Sequence, residues 1–150
     1  GYGRGVGAWP GVGLGSLEQV FAAADVVSLH TPWLKETEGL VSGALLESMK
    51  PYATFINTSR GAVVREEEMC AVLARRPDLT AVLDVTHPEP PAVDSPLYTL
   101  PNVILTPHIA GSVNAECRRM GRLMIAELQR YLKGEPFEYR MTQERVAIMA

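Results

Sequence analysis

From Ser16 onward the chain alternates between short β-prone runs and amphipathic helical segments, and this alternation constrains the fold more than any other feature. Strands are predicted over residues 26–29, 53–57, 81–85 and 103–106, with helices starting at Ser16 and over 42–49, 65–76 and 114–133. Helices between strands are the usual crossover connections of a parallel sheet, and almost wholly apolar strands indicate burial on both faces. The pattern therefore predicts a doubly wound α/β domain.

Local signals predict where several of these helices begin and end. Ser16 and Gln19 have the spacing of a capping box, Ser42 is a candidate N-cap, and Gly134 follows the last helix as a candidate C-cap. On that last helix, apolar residues recur at helical spacing, which predicts a buried stripe. The stripe consists of Cys117, Met120, Met124, Leu128 and Tyr131.

Composition narrows the possible partners. The 150-residue chain is 47% hydrophobic and 21% charged with a formal net charge of -3, which disfavours nucleic acid or an anionic membrane as partner. Its apolar runs are too short to span a membrane. Cys70 and Cys117 have no metal-ligand spacing and fall in helical patterns, so we expect reduced, partly buried thiols and a cytoplasmic location.

The opening stretch GYGRGVGAWPGVGLG contains seven glycines. Its segment GRGVGA, from Gly3 to Ala8, matches the spacing G-x-G-x-x-[GA] of a dinucleotide-binding loop. Such a loop follows a strand and opens a helix, whereas no strand precedes Gly1 here and proline and glycine interrupt the place of the helix. We therefore interpret residues 1–15 as a glycine-rich connection.

Polar side chains lie at the carboxyl end of every predicted strand. They are His30 to Pro32, Asn57 to Gly61, Asp84 with His87 and Glu89, and Thr106 to Gly111. Ligands of open α/β sheets bind at the carboxyl ends of the strands, so we expect a small polar site at this edge. An arginine binds a carboxylate through two hydrogen bonds, and a histidine near a glutamate can donate a proton near neutral pH. These residue types fit the reduction of a 2-keto acid at its carbonyl group.

A zinc site built from His87, Glu89 and His108 is the competing interpretation of these side chains. No thiol and no H-E-x-x-H spacing accompanies them. We therefore predict no metal.

Four motifs at the strand ends carry a family resemblance. They are ADVVSLHTP, MKPYATFINTSRGAVV, AVLDVTHPEP and PNVILTPHIAG, in this order along the chain. The series, over residues 16–134, resembles the nucleotide-binding domain of the D-isomer-specific 2-hydroxyacid dehydrogenases. The resemblance implies a Rossmann-like doubly wound parallel sheet that is truncated at its N-terminus, since the family's own glycine-rich loop would precede this segment.

The resemblance also implies roles for residues at the strand ends. Arg60 would bind the substrate carboxylate and carbonyl, His108 would be the proton donor, and Glu89 would support His108. The residues expected to contact the cofactor NAD are Thr31, Pro32, Thr58, Ser59, Arg60, Asp84, His108, Ile109, Ala110 and Gly111. NADP is not excluded, because in the family the discriminating residue ends an earlier strand.

By the same resemblance, residues 1–134 would be the distal part of a dinucleotide-binding domain, and residues 135–150 a tail that packs on a separate substrate domain. The full-length protein is expected to be a homodimer that acts on a small 2-hydroxy or 2-keto acid. Two alternatives stay open. One is a dinucleotide-sensing corepressor that binds protein partners, and the other is an inactive fragment.

Several positions depart from the family pattern. Tyr52 stands where the family commonly has glycine, which predicts either a strained positive φ or a different turn. Arg65 replaces a common acidic helix-cap residue, and Thr86 and His87 replace an aromatic and acidic pair. None of these is one of the three residues with an implied catalytic role.

Overall fold

The structure is a computed structural model that describes residues 11–146 of the chain. Its helices are α1 (Leu17–Ala23), α2 (Gly43–Glu47), α3 (Glu66–Arg75), α4 (Ala115–Leu132) and α5 (Gln143–Val146). Its strands are β1 (Val26–Leu29), β2 (Thr54–Asn57), β3 (Thr80–Leu83) and β4 (Val103–Leu105), and single 3-10 turns lie at Gly61–Val63 and Pro96–Tyr98. The glycine motif between Gly3 and Ala8 lies outside the described residues.

The four strands form one parallel sheet in the order β1-β2-β3-β4. In its register Val27 pairs with Phe55, Phe55 with Ala81, and Ala81 with Val103. Every crossover between neighbouring strands therefore runs the same way, and all carboxyl ends meet at one edge. The predicted α/β class with a Rossmann-like parallel sheet is confirmed.

One face of the sheet forms the hydrophobic core. Alternate strand residues such as Val27, Phe55 and Leu83 are buried, as the period of two along a strand requires. Helices α1, α2 and α3 pack side by side against this face, with Phe21 and Phe55 ring centroids 6.1 Å apart. Burial of these apolar side chains is the main force that holds the sheet edge in place.

The other face of the sheet differs from the expectation of burial on both sides. Its side chains are half-buried or exposed, and Val26 and Ile104 are more than half exposed. An apolar run fits burial on both faces, but it does not fix which faces a helix covers. Within residues 11–146 the three packed helices cover one face.

The predicted stripe on α4 is wrong for the described chain. Met120, Met124, Leu128 and Tyr131 are between 47% and 64% exposed, and Cys117 is exposed as well. Periodicity shows that a helix has an apolar face, but not which element meets it. No other helix or strand of residues 11–146 packs closely against α4.

The buried residue on α4 is polar instead. Glu127 accepts hydrogen bonds from the amides of Glu138 and Tyr139, at 3.4 and 3.2 Å, so the tail folds back along the helix. The helix ends at Leu132, and Gly134 follows it with a φ of +70°, the left-handed glycine that was predicted to close the helix.

The other local predictions are largely confirmed. Ser16 and Gln19 form the reciprocal capping box. Ser42 does precede α2, but its side chain makes no capping bond. The amide of Gly43, the first helical residue, donates to Glu68 Oε2 at 2.7 Å. Tyr52 has a φ of 65°, which is the strained conformation expected from a tyrosine in place of glycine.

The two cysteines are unpaired and lie in different environments. Cys70 is buried, and burial, followed by the charge of Glu66, raises the pKa of its thiol to about 11. Cys117 is exposed, which corrects its predicted partial burial and has the same cause as the exposed face of α4. No helix in residues 11–146 has the length and apolar character needed to cross a bilayer.

Candidate active site

The loop after β2 is shaped by Asn57, the last residue of that strand. Its side chain is 1% exposed, its Oδ1 accepts from the amide and the hydroxyl of Ser59, and its Nδ2 donates to the Arg60 carbonyl. A buried amide with all these bonds made is both satisfied and rigid. Asn57 therefore fixes the backbone from which the Arg60 side chain extends.

Arg60 is half-buried, and most of its donors are available to a ligand. Its Nη1 donates to the Ser59 carbonyl at 2.7 Å, and among residues 11–146 the guanidinium makes no other hydrogen bond. A planar guanidinium with unused donors is suited to bind a carboxylate through two parallel hydrogen bonds.

The backbone at Gly61 brings the loops after β2 and β3 together. A Cβ at Gly61 would lie 2.0 Å from the carbonyl carbon and 2.1 Å from the carbonyl oxygen of Thr86. Only glycine permits this approach, because real Cβ contacts to backbone atoms are never that short. The backbone next to Arg60 is thus pressed against the segment that leads to Glu89.

Asp84, the first residue after β3, joins the end of that strand to the loop after β4. It is 4% exposed, its Oδ1 accepts from Thr106 Oγ1 at 2.5 Å and from the Ile109 amide at 2.8 Å, and its Oδ2 accepts from the Ala110 amide at 2.8 Å. Burial alone raises the pKa of this carboxyl, but the three hydrogen bonds and the nearby charge of His108 outweigh it and lower the pKa. The ionised Asp84 therefore fixes the backbone on both sides of His108.

Glu89 and His108 form a direct pair across the two loops. Glu89 Oε1 lies 2.5 Å from His108 Nδ1, and both side chains are about half-exposed. A carboxylate at Nδ1 fixes the orientation of the ring. Among residues 11–146 the second ring nitrogen, Nε2, makes no hydrogen bond, so it is the atom able to exchange a proton with a ligand.

The backbone of His108 is strained. Its φ of 53° places a non-glycine residue in the left-handed region, which persists only where the surroundings hold it. The Ile109 and Ala110 amides, which directly follow His108, donate hydrogen bonds to Asp84 and supply that restraint.

A cavity of about 430 Å³ adjoins the Glu89–His108 pair, a size suited to a small ligand. Its lining residues are Asp84, Thr86, Glu89, Pro90, Pro91, Tyr98, Leu105, Thr106, Pro107 and His108. Thr31 lines a different cavity, of about 540 Å³, between α1 and the end of β1. The structure therefore joins the ends of β3 and β4 in one cavity, and neither Thr31 nor Arg60 is among the residues that line it.

The remaining predicted site residues lie on the same edge of the sheet with different exposures. Thr31, Pro32 and Ser59 are half-buried, whereas Thr58, Ile109, Ala110 and Gly111 are exposed. The buried hydroxyl of Thr37 donates to the Pro32 carbonyl at 2.6 Å and holds that loop. Around Gly111 there is open space, which would admit a ligand close to the backbone.

Two contributions were missed from the sequence. Asn57 lies in one of the four motifs, but its bonds to the Arg60 loop depend on burial of its side-chain amide at the end of β2. A polar residue at a buried strand position is the sequence signal that could have indicated them. The contact of Trp33 with His87 joins loops that are far apart in sequence, and nothing in the sequence signals it. Within residues 11–146, no group of three His, Cys, Asp or Glu side chains is arranged to hold a metal ion.

Four parallel strands connected by helical crossovers define a Rossmann-like α/β domain, and Arg60 and the Glu89–His108 pair lie at the carboxyl edge of its sheet. More specifically, the chain belongs to the family described as D-isomer specific 2-hydroxyacid dehydrogenase, NAD binding domain, whose sequence profile matches residues 9–110. The family predicted from the four motifs is therefore confirmed.

Individual relatives agree. The D-3-phosphoglycerate dehydrogenase of Archaeoglobus fulgidus is 35% identical over 126 residues, which are 84% of this chain and 24% of that protein. The glyoxylate reductase/hydroxypyruvate reductase of Homo sapiens is 36% identical over 121 residues, 81% of this chain and 37% of that protein. The chain thus spans well under half the length of these curated relatives.

A solved structure shares the fold. A D-isomer specific 2-hydroxyacid dehydrogenase from Xanthobacter autotrophicus Py2, in complex with NADPH and MES, superposes with a TM-score of 0.72 at 32% identity. The match covers 86% of this chain and 52% of that chain.

Proposed function

We propose that the protein is an oxidoreductase that transfers a hydride between NAD(P) and a 2-hydroxy or 2-keto acid, with the D-isomer as the hydroxy acid. The observation that carries this proposal is the 2.5 Å contact between Glu89 and His108 on the edge of the sheet that also carries Arg60. Membership of the NAD-binding domain family supports the cofactor, and the names of the relatives support the substrate class.

Arg60 would bind the substrate carboxylate. Its available donors offer two hydrogen bonds in one plane, which orients a 2-keto acid so that the carbonyl next to the carboxylate has a defined position. The hydrogen bonds between Asn57 and the loop hold the backbone of Arg60 in place, and this limits the movement of the guanidinium.

His108 would handle the proton. As the substrate carbonyl is reduced, its oxygen gains negative charge, and the protonated ring donates from Nε2 to that oxygen. Glu89, in contact with Nδ1, keeps the ring oriented throughout the transfer. In the oxidative direction the same nitrogen accepts the hydroxyl proton.

The residues of the sheet edge fit the nicotinamide end of a dinucleotide. Thr58 and Ser59 offer hydroxyls, and Gly111 leaves open space beside the backbone. When bound, the dinucleotide supplies or accepts the hydride. Within residues 11–146 no glycine-rich turn leads from a strand directly into a long helix, so the pyrophosphate is not assigned to this part of the chain.

Replacement of Arg60 tests the substrate role. In the full-length protein, Arg60→Ala is expected to raise KM for the keto acid and lower kcat, with kcat/KM reduced roughly 10²–10³-fold, because two charge-assisted hydrogen bonds are lost. Arg75→Ala, at an exposed arginine of α3 paired with Glu47, is the matched control and should leave both constants unchanged. Near wild-type kinetics of Arg60→Ala with several 2-keto acids would contradict the assignment of Arg60 as the residue that binds the substrate carboxylate.

A cytoplasmic location and a homodimer belong to the same proposal. The two unpaired cysteines support a reducing compartment. Binding of NADH without turnover of any 2-keto or 2-hydroxy acid would instead favour a dinucleotide-sensing corepressor.

A further inference from the structure

Trp33 and His87 make a contact that the proposed reaction does not use. Their ring centroids lie 5.3 Å apart with an interplanar angle of 67°, an edge-to-face arrangement. Trp33 lies in the loop after β1 and His87 in the loop after β3. Because β2 lies between these strands, the contact connects two loops that flank the loop of Arg60.

Hydrogen bonds hold the backbone near each of the two rings. Trp33 Nε1 donates to Glu38 Oε2 at 3.3 Å, and the buried hydroxyl of Thr37 bonds the backbone on both sides of Trp33, at 2.6 and 2.8 Å. The His87 amide donates to Glu66 Oε2 at 3.0 Å. Trp33 is 46% exposed, so burial in the core does not account for its position.

The segment held by this contact continues directly to the proposed catalytic pair. His87 and Thr86 are pressed against Gly61, next to Arg60, and Glu89 follows His87 by two residues. A shift of His87 would therefore change the distance between Arg60 and Glu89, and through Glu89 the position of the His108 ring.

We propose that Trp33 and His87 are positioning residues for the reaction, and that their contact holds the loop of Glu89 at a fixed place relative to Arg60. This inference rests on the proposed function. Neither residue needs to touch the substrate. Trp33 acts through His87, and His87 acts through Glu89.

A double-mutant cycle in the full-length protein tests the inference. Wild type, Trp33→Leu, His87→Ala and the double variant are compared for kcat and KM with the best substrate among glyoxylate, hydroxypyruvate and pyruvate. Each single variant should lower kcat about 10-fold with KM changed much less, and the double variant should lose no more than either single variant. Trp33→Phe, which keeps a ring but loses the bond to Glu38, should restore kcat to near wild type.

The outcomes separate this inference from the proposed function. No reduction of any 2-keto acid by wild type would remove the proposed function, and the inference with it. An active wild type whose single-variant effects multiply in the double variant, or in which Trp33→Phe is as impaired as Trp33→Leu, would overturn the inference alone. A loss of kcat that follows a drop in Tm through all variants would likewise show a merely structural contact.

Discussion

The backbone conformation of Tyr52 is unfavourable in free energy, and its side chain is too exposed to offset this by packing. Its φ of 65° is unfavourable for any residue with a Cβ, and its ring is 84% exposed. We expect Tyr52→Gly to raise the free energy of unfolding by roughly 1 kcal/mol, measured by urea denaturation. Tyr52→Ala is the matched control, because it removes the ring and keeps the Cβ. Equal stability of the two variants would contradict the strain account.

Gly61 permits the closest backbone approach at the site. A methyl group there would meet the Thr86 carbonyl at about 2 Å, so Gly61→Ala must push the two loops apart. We expect a loss of stability of about 1–3 kcal/mol together with lower kcat/KM, since Arg60 moves with its backbone.

Gly13→Ala provides the control for this substitution. Gly13 has nothing within 4 Å of the added Cβ position, so thermal denaturation of this variant should match wild type. Wild-type stability and activity of Gly61→Ala would show that the loops are not held together at this point.

At the scale of elements, Asp84 connects the end of β3 to the loop after β4. Asp84→Asn loses acceptor capacity towards the Thr106 hydroxyl and the Ile109 and Ala110 amides, and it should cost about 2–3 kcal/mol of unfolding free energy at pH 7. Because the folded-state pKa of Asp84 lies below its ordinary value of 3.8, its stabilising effect is full above that value and is lost as pH falls through the folded pKa.

Urea denaturation at several pH values checks this expectation. The difference in stability between wild type and Asp84→Asn should be constant from neutral pH down to about 5 and should shrink at lower pH. A difference that grows on acidification would mean that the ionised carboxylate is not the stabilising form.

Most elements could be predicted because their signals are local. The capping box of Ser16 and the left-handed Gly134 are encoded within a few residues, and β1 occupies the predicted range. The apolar face of α4 was also visible, but its partner is a tertiary property, and the prediction of burial therefore failed.

At the scale of the whole molecule, the site depends on a parallel sheet that gathers four strand ends. The order of strands and polar residues was enough to predict Arg60, Glu89 and His108 on one edge, and the Glu89–His108 contact agrees. The supports of these residues could not be predicted in the same way. The Gly61 approach and the contact of Trp33 with His87 depend on how loops from different strands meet in space.

In the proposed reaction His108, held by Glu89, exchanges the proton during oxidation and reduction of a 2-hydroxy acid. The most direct measurement is the rate of NADH or NADPH oxidation with 2-keto acids by the full-length protein, wild type against His108→Gln. We expect turnover by wild type and a decrease in kcat of about 10²–10⁴-fold in the variant, with cofactor binding retained. Unchanged kcat in His108→Gln, or a wild type that oxidises neither cofactor with any keto acid, would contradict the account.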